Sequence, residues 1–168
     1  MSDLIDEPLV RGTKPPPKKQ RMEVVRIKTQ EPEMLVIVSK CIWGQPVHWF
    51  GRRSHECTQD RGRCKGCEEN WPCKWQGYLH VTNHTLSWNG FLELTALAWG
   101  ILLSQVRVGE NLRGSIIKVS RTKGGPRGRY MIEVLERRIA DDALPEERDP
   151  LQTLRMLWNA KKGPLPDS

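Results

Sequence analysis

Four cysteines within seventeen residues, Cys57, Cys64, Cys67 and Cys73, constrain this chain more than any other feature. Their spacing is C-x6-C-x2-C-x5-C, and the segment around them, residues 51–75, holds almost no aliphatic side chains. Burial alone does not fold such a segment. A bound ion does: thiolates make a closed tetrahedral site, and the binding free energy, about 10–16 kcal/mol in small zinc peptides, becomes folding free energy. The Lys65-Gly66 step between Cys64 and Cys67 lets both thiolates face one ion, and the glycine allows backbone N–H groups to point at sulfur. A structural zinc (Zn2+) on Cys57, Cys64, Cys67 and Cys73 is the expectation, with His55 as the alternative to one thiolate.

Disulfides are the competing reading. They suit short secreted chains, whereas no apolar signal segment opens this sequence and five cysteines is an odd number. A redox C-x-x-C belongs between a strand and a helix of a βαβ unit, a context absent from the pattern here. Cys41 lies in an apolar run and is expected as a buried small hydrophobe.

The 168 residues suit one domain with tails. A net charge of +7 favours a polyanionic partner, and the distribution says more than the total. Arg52, Arg53, Arg61, Arg63, Lys65 and Lys74 surround the cysteines. Arg113, Lys118, Arg121, Lys123, Arg127 and Arg129 fall in a stretch without a single acid, while the chain beyond Ala140 is net acidic. The longest apolar stretch, residues 96–106, is too short to span a bilayer. A non-membrane protein of a reducing, cytoplasmic compartment is expected.

Residues 1–32 form a basic, Pro-rich tail in this reading, residues 33–140 the domain, and residues 141–168 a C-terminal helix and tail. Apolar alternation marks strands at residues 34–39, 77–82, 90–95, 114–120 and 129–135, and a hairpin tip at residues 122–128. Thr95 caps a helix running to residue 105. Asp149-Pro150 opens another through residue 160, with Leu151, Leu154, Leu157 and Trp158 on one face.

Three strands, a helix and two strands, together with the segment LRGSIIKVSRTKGGPRGRYMIEV, resemble the OB-fold single-stranded nucleic-acid-binding proteins of phages and mobile elements. The resemblance covers about residues 34–138. It implies a mainly β fold with helices: a five-stranded Greek-key barrel, here with a zinc-binding insertion between strands 1 and 2 and a C-terminal helix. In that fold the loops joining strands 1–2 and 4–5 flank an oligonucleotide site on strands 2 and 3. In this chain those loops are the cysteine segment and the hairpin, its two most basic parts. On the strand face the resemblance implies Tyr78, with His80 and Phe91 beside it.

The expected function is therefore single-stranded nucleic-acid binding, DNA before RNA. The cations named above would hold phosphates, and Trp71 and Trp75 would stack on bases at about 1–3 kcal/mol per base. The alternative is a zinc-containing adaptor subunit of a replication, recombination or RNA-guided complex. It would dock, or self-associate, through residues 149–160. No phosphate-binding loop, H-E-x-x-H helix or nucleophile elbow is present, and His55-Glu56-Cys57 with Pro72-Cys73 fails the zinc-deaminase pattern. His80, Asn83 and His84 read as a polar turn rather than a nuclease centre. No catalysis is expected.

Overall fold

The computed structural model describes residues 23–25, 27, 31–122 and 130–160; of Glu23, Arg53 and residues 156–160 it describes the backbone. In chain order the elements are β1 (Glu23–Val25), β2 (Glu33–Ile37), β3 (Trp43–Phe50), β4 (Arg53–Glu56), α1 (Lys65–Glu68), β5 (Cys73–Asn83), β6 (Asn89–Thr95), α2 (Ala96–Leu103), β7 (Ser115–Arg121), β8 (Tyr130–Arg138) and α3 (Pro150–Ala160). The eight strands share one open sheet whose main path is β1-β6-β5-β2-β7-β8, and β3 joins from the side by pairing with β4 and β5.

Alternation of apolar and polar residues places the core on one face of this sheet. Leu79 and Val81 on β5, Leu92 and Leu94 on β6, and Ile117 and Val119 on β7 pack with Leu35 and Ile37. Helix α2 closes that face with Ala98 and Leu102. Its start is fixed by Thr95, whose hydroxyl accepts the Ala98 N–H at 3.2 Å. Strand β5 is long enough to serve two neighbours in turn: residues 73–78 pair with β3, and residues 81–83 with β2.

The opposite face of β5 and β6 is covered by the chain's own C-terminal segment. The Arg113 guanidinium gathers it, donating to Val38 O at 2.7 Å and Pro145 O at 3.1 Å while pairing with the Asp141 carboxylate. The Lys40 N–H reaches Glu147 at 3.3 Å, and the Arg148 N–H donates to His80 Nδ1 at 3.3 Å. Asp149 caps α3 by accepting the Gln152 N–H at 2.8 Å. Leu154 then seats the helix in a cluster with Tyr78 and Phe91, and Arg155 pairs with Glu56 at 3.2 Å.

Several expectations change. The segment read as tail contributes β1, which pairs in parallel with β6, and Val25 and Ile27 are buried in the core. Two apolar side chains at period two suffice to add a strand where a partner edge is waiting. Strands β3 and β4 were absent from the sequence reading because WGQPVHWF carries Gly and Pro and too few β-branched residues to mark a strand. A closed five-stranded barrel is not what the ladders describe: among the described residues no pairing joins β6 to β8, and the β6 edge is taken by β1. Cys41, expected buried, is exposed. No helix among the described residues is long and apolar enough to cross a membrane.

Candidate metal centre

Strands β3, β4 and β5 extend beyond the core as a three-stranded ribbon, and the cysteine segment folds back onto it as a knuckle. A tight turn joins β3 to β4, with Gly51 and Arg52 both in the left-handed region at φ 58 and 61. Beyond β4 the Cys57 N–H donates to Pro46 O at 3.0 Å, which keeps the chain against β3. A 3-10 turn at Gln59–Arg61 and the single-turn α1 follow. The Trp71 N–H returns to Gly66 O at 2.8 Å before β5 begins.

This path brings the side chains of His48, Cys57, Cys64 and Cys67 together, their ligand atoms all within 4.8 Å of one another, a group that could hold a metal ion. Cys57 and Cys64 are buried and Cys67 partly so. Cys57 Sγ lies 3.7 Å from Cys67 Sγ, and His48 Nε2 lies 3.4 Å from the same sulfur. None of the four is in a disulfide. The imidazole has the tautomer a ligand needs. Its Nδ1 lies 2.9 Å from the Trp71 carbonyl oxygen, which only accepts, so the proton sits on Nδ1 and the Nε2 lone pair faces the sulfurs.

The sequence allows this packing at one glycine. A methyl group at Gly66 would overlap the His48 ring. Electrostatics point the same way. Gln59 N–H donation pulls the Cys57 thiol below its usual range against the opposing effect of burial. Burial acts to raise Cys64 as well, but N–H groups of Cys67 and Thr58 overcome it and hold that thiol down at about 6. Burial and the two neighbouring thiolates then push Cys67 up to about 12, and Cys73 upward too. Burial likewise disfavours the His48 imidazolium, yet the thiols and the Trp71 carbonyl outweigh it and raise its pKa. With two thiols shifted down and Cys67 shifted up by burial and by their negative charge, the cluster is short of positive charge. A dication supplies that charge, and three sulfurs with one imidazole match the donor set of closed tetrahedral sites.

Three of the four cysteines expected as ligands are thus brought together. The fourth place in the group belongs to His48, which the sequence reading passed over, and Cys73 stands outside it, exposed. His55 is not part of the group. Its ring stacks on Phe50 at 3.8 Å between centroids and bonds the Phe50 carbonyl oxygen at 3.0 Å.

Among the expected nucleic-acid contacts, several have other work. Arg61 pairs with Glu56 and Asp60, Arg63 with Glu68 at 2.6 Å, and Lys65 with Glu69 at 3.7 Å. These acids lie within a few residues of the cations, so the knuckle is far less basic than its Arg and Lys content implies. Arg113 is a structural tie, its side chain 10% exposed. Tyr78 is buried under α3 rather than open on the strand face, with its hydroxyl donating to Gln76 at 3.2 Å. Trp75 fills the space left by Gly44 and Gly77 and is half-buried. Lys118 is exposed on β7 across from Glu133, and Arg121 ends that strand opposite Tyr130. Lys123, Arg127 and Arg129 lie outside the described residues, as does the side chain of Arg53.

Arg52 and Lys74 remain exposed with no ion pair among the described residues. Trp49 is 58% exposed, and Trp71, 44% exposed, stacks on Phe50 at 5.9 Å on the ribbon face that carries His48. Register sets Trp49 and Lys74 on one face: Val47 pairs with Lys74, and Trp49 lies two residues along from Val47. The readable sign in the sequence for Trp49 is a large aromatic beside a segment with no core to receive it. His80, by contrast, is a satisfied buried histidine: Nε2 donates to Asn89 Oδ1 at 3.3 Å and Nδ1 accepts the Arg148 N–H. Asn83 braces the turn, accepting the Ser87 N–H at 2.9 Å, and His84 is exposed.

No protein-family model matches the chain, and comparison with curated proteins and with solved structures gives no match. The candidate metal group and the exposed aromatic-basic ribbon are the features of the described residues that bear on function.

Proposed function

We propose that this chain is a zinc-stapled, non-enzymatic protein that binds single-stranded nucleic acid, DNA before RNA, through the ribbon of β3, β4 and β5. One observation carries the reading: Trp49, more than half exposed, shares a face with Lys74 on a ribbon clamped by the His48, Cys57, Cys64 and Cys67 group. A rigidly held indole beside an uncommitted cation offers a base a stacking surface and its phosphate a counter-charge. Arg52 at the ribbon tip extends that surface. The path β6-β5-β2-β7-β8, with α2 between β6 and β7, supports an OB-like relationship, since those are the strand neighbours of an OB barrel laid open.

The original picture of one patch joining the knuckle and the β7–β8 tip is replaced. β5 starts at the knuckle and ends at Asn83, and the register carries the end of β7 past Asn83. The knuckle and Arg121 at the end of β7 lie at opposite ends of β5, separated by roughly 33 Å at about 3.3 Å per residue along the strand. The ribbon is the nearer site for a short strand.

Titration of the purified chain with oligo-dT, read by tryptophan fluorescence, tests the proposal. Quenching, a salt slope of log K near −2 for about three phosphates, and a tenfold loss in Trp49→Ala, within the range of about 1–3 kcal/mol per stacked base, are expected. Absence of quenching at low salt overturns it. An adaptor role is favoured by a separate observation, the exposed Leu97 and Leu103 on the outer side of α2. Protein capture without oligonucleotide binding would select that reading.

A further inference from the structure

The knuckle offers more donors than a tetrahedral ion uses. The β3–β5 register sets Cys73 directly across from His48, so both side chains leave the ribbon on the same face. The Cys73 thiol also reaches that of Cys57, a member of the four-residue group. His48 is buried and braced by the Trp71 carbonyl, whereas Cys73 is exposed at the rim of the same cluster.

We propose that the centre has two alternative fourth ligands: His48 holds the metal with Cys57, Cys64 and Cys67, and Cys73 takes its place when the imidazole is withdrawn. The exchange converts a three-sulfur, one-nitrogen site into a four-sulfur site, with Cys73 releasing its thiol proton to water as it binds. The metal class is the thiophilic divalent ions, zinc and cadmium foremost. Position makes the exchange feasible. Cys73 opens β5 and is tied to β3 only through the ladder, so a rotamer change carries its sulfur inward while the backbone pairing stays. Proximity to Cys57 means that it arrives beside a sulfur already in place. The spacing of the four cysteines and the observed His48-containing group then describe two states of one site.

The inference rests on the reading of the group as a metal centre, and cobalt(II) as probe separates the two. Wild-type chain is expected to bind one cobalt per chain with the spectrum of a three-thiolate, one-imidazole tetrahedral site. Cys73→Ser keeps that spectrum and its affinity. His48→Gln binds one cobalt with stronger sulfur-to-metal charge transfer and ligand-field bands at lower energy, the signature of a fourth thiolate. The double variant loses at least about a hundredfold in affinity, beyond the 10- to 100-fold typical of disturbing a ligand's support. Alkylation of the zinc-loaded wild type adds a readout independent of how His48 variants fold: Cys73 is modified as fast as Cys41 while the other three are protected. Wild-type chain that binds no cobalt refutes the metal reading itself. Equal loss in His48→Gln and the double variant, a changed spectrum in Cys73→Ser, or protection of Cys73 in the wild type overturns the exchange alone.

Discussion

At the scale of single residues, side chains did what their partners allowed. His48 is the clearest case. Nothing in the local sequence distinguishes it from His55, and its role comes from a ladder that sets it over the knuckle and a carbonyl that fixes its proton. Gly66 is the complementary case, since its missing side chain is the space the imidazole fills. Gly66→Ala should therefore lower zinc affinity at least about tenfold while the sheet keeps its circular dichroism, which competition with a chromophoric chelator measures. His80 makes a pH prediction. Burial holds its pKa down to about 4, helped by the charges of Arg148 and Arg113 and opposed by the bond to Asn89. The unfolded chain takes up a proton near pH 6.5 that the folded chain refuses, so His80's share of stability is complete above that value and shrinks as pH falls toward 4, by about 3 kcal/mol at most. Urea melts of wild type and His80→Asn at pH 7 and pH 4.5 read it: the variant should lose less stability on acidification, and equal losses would contradict the assignment.

Elements divide by what stabilises them. Strands β2, β6 and β7 carry the alternating apolar residues that fill the core, and they were readable because burial writes itself into sequence at period two. The ribbon beyond the core has no such signature. Chelation with EDTA should accordingly raise amide exchange in residues 57–72 and in the β3–β4 pairing while leaving β2, β7 and β8 protected, which hydrogen-exchange mass spectrometry resolves by segment. Uniform protection before and after chelation would mean that the ion does not hold the knuckle. Helix α3 is the opposite case, an element whose apolar face was legible but whose destination was not. Only the adaptor alternative gave it to a partner, and Leu154 packs it on Tyr78 and Phe91 of the same chain. Leu154→Ala should cost about 2–5 kcal/mol by the usual range for a fully buried leucine, measured as a shift in the denaturation midpoint. The same substitution should bare the Tyr78 ring to collisional quenchers.

For the molecule as a whole, the lesson concerns distance along the chain. The cysteine spacing announced a metal site because its members are close in sequence, and three of them were recovered. The fourth member of the group, His48, escaped because it lies on a preceding strand, where only register reveals the contact. Arg113 was taken for a phosphate contact because the stretch it opens, residues 113–129, holds no acid, while its partners Asp141 and Pro145 follow 28 and 32 residues later. Arg61, Arg63 and Lys65 misled in the other sense: their acids were in plain view in the same segment but were weighed as composition rather than as pairs. Overall charge is +7, and among the described residues near the knuckle Arg52 and Lys74 are exposed without an ion pair. X-ray absorption at the zinc edge of the purified full chain tests the central claim most directly. One zinc per chain with three sulfurs at about 2.3 Å and one nitrogen at about 2.0 Å is the predicted shell. A chain that folds its knuckle without stoichiometric metal, or a shell with no nitrogen, would contradict the account.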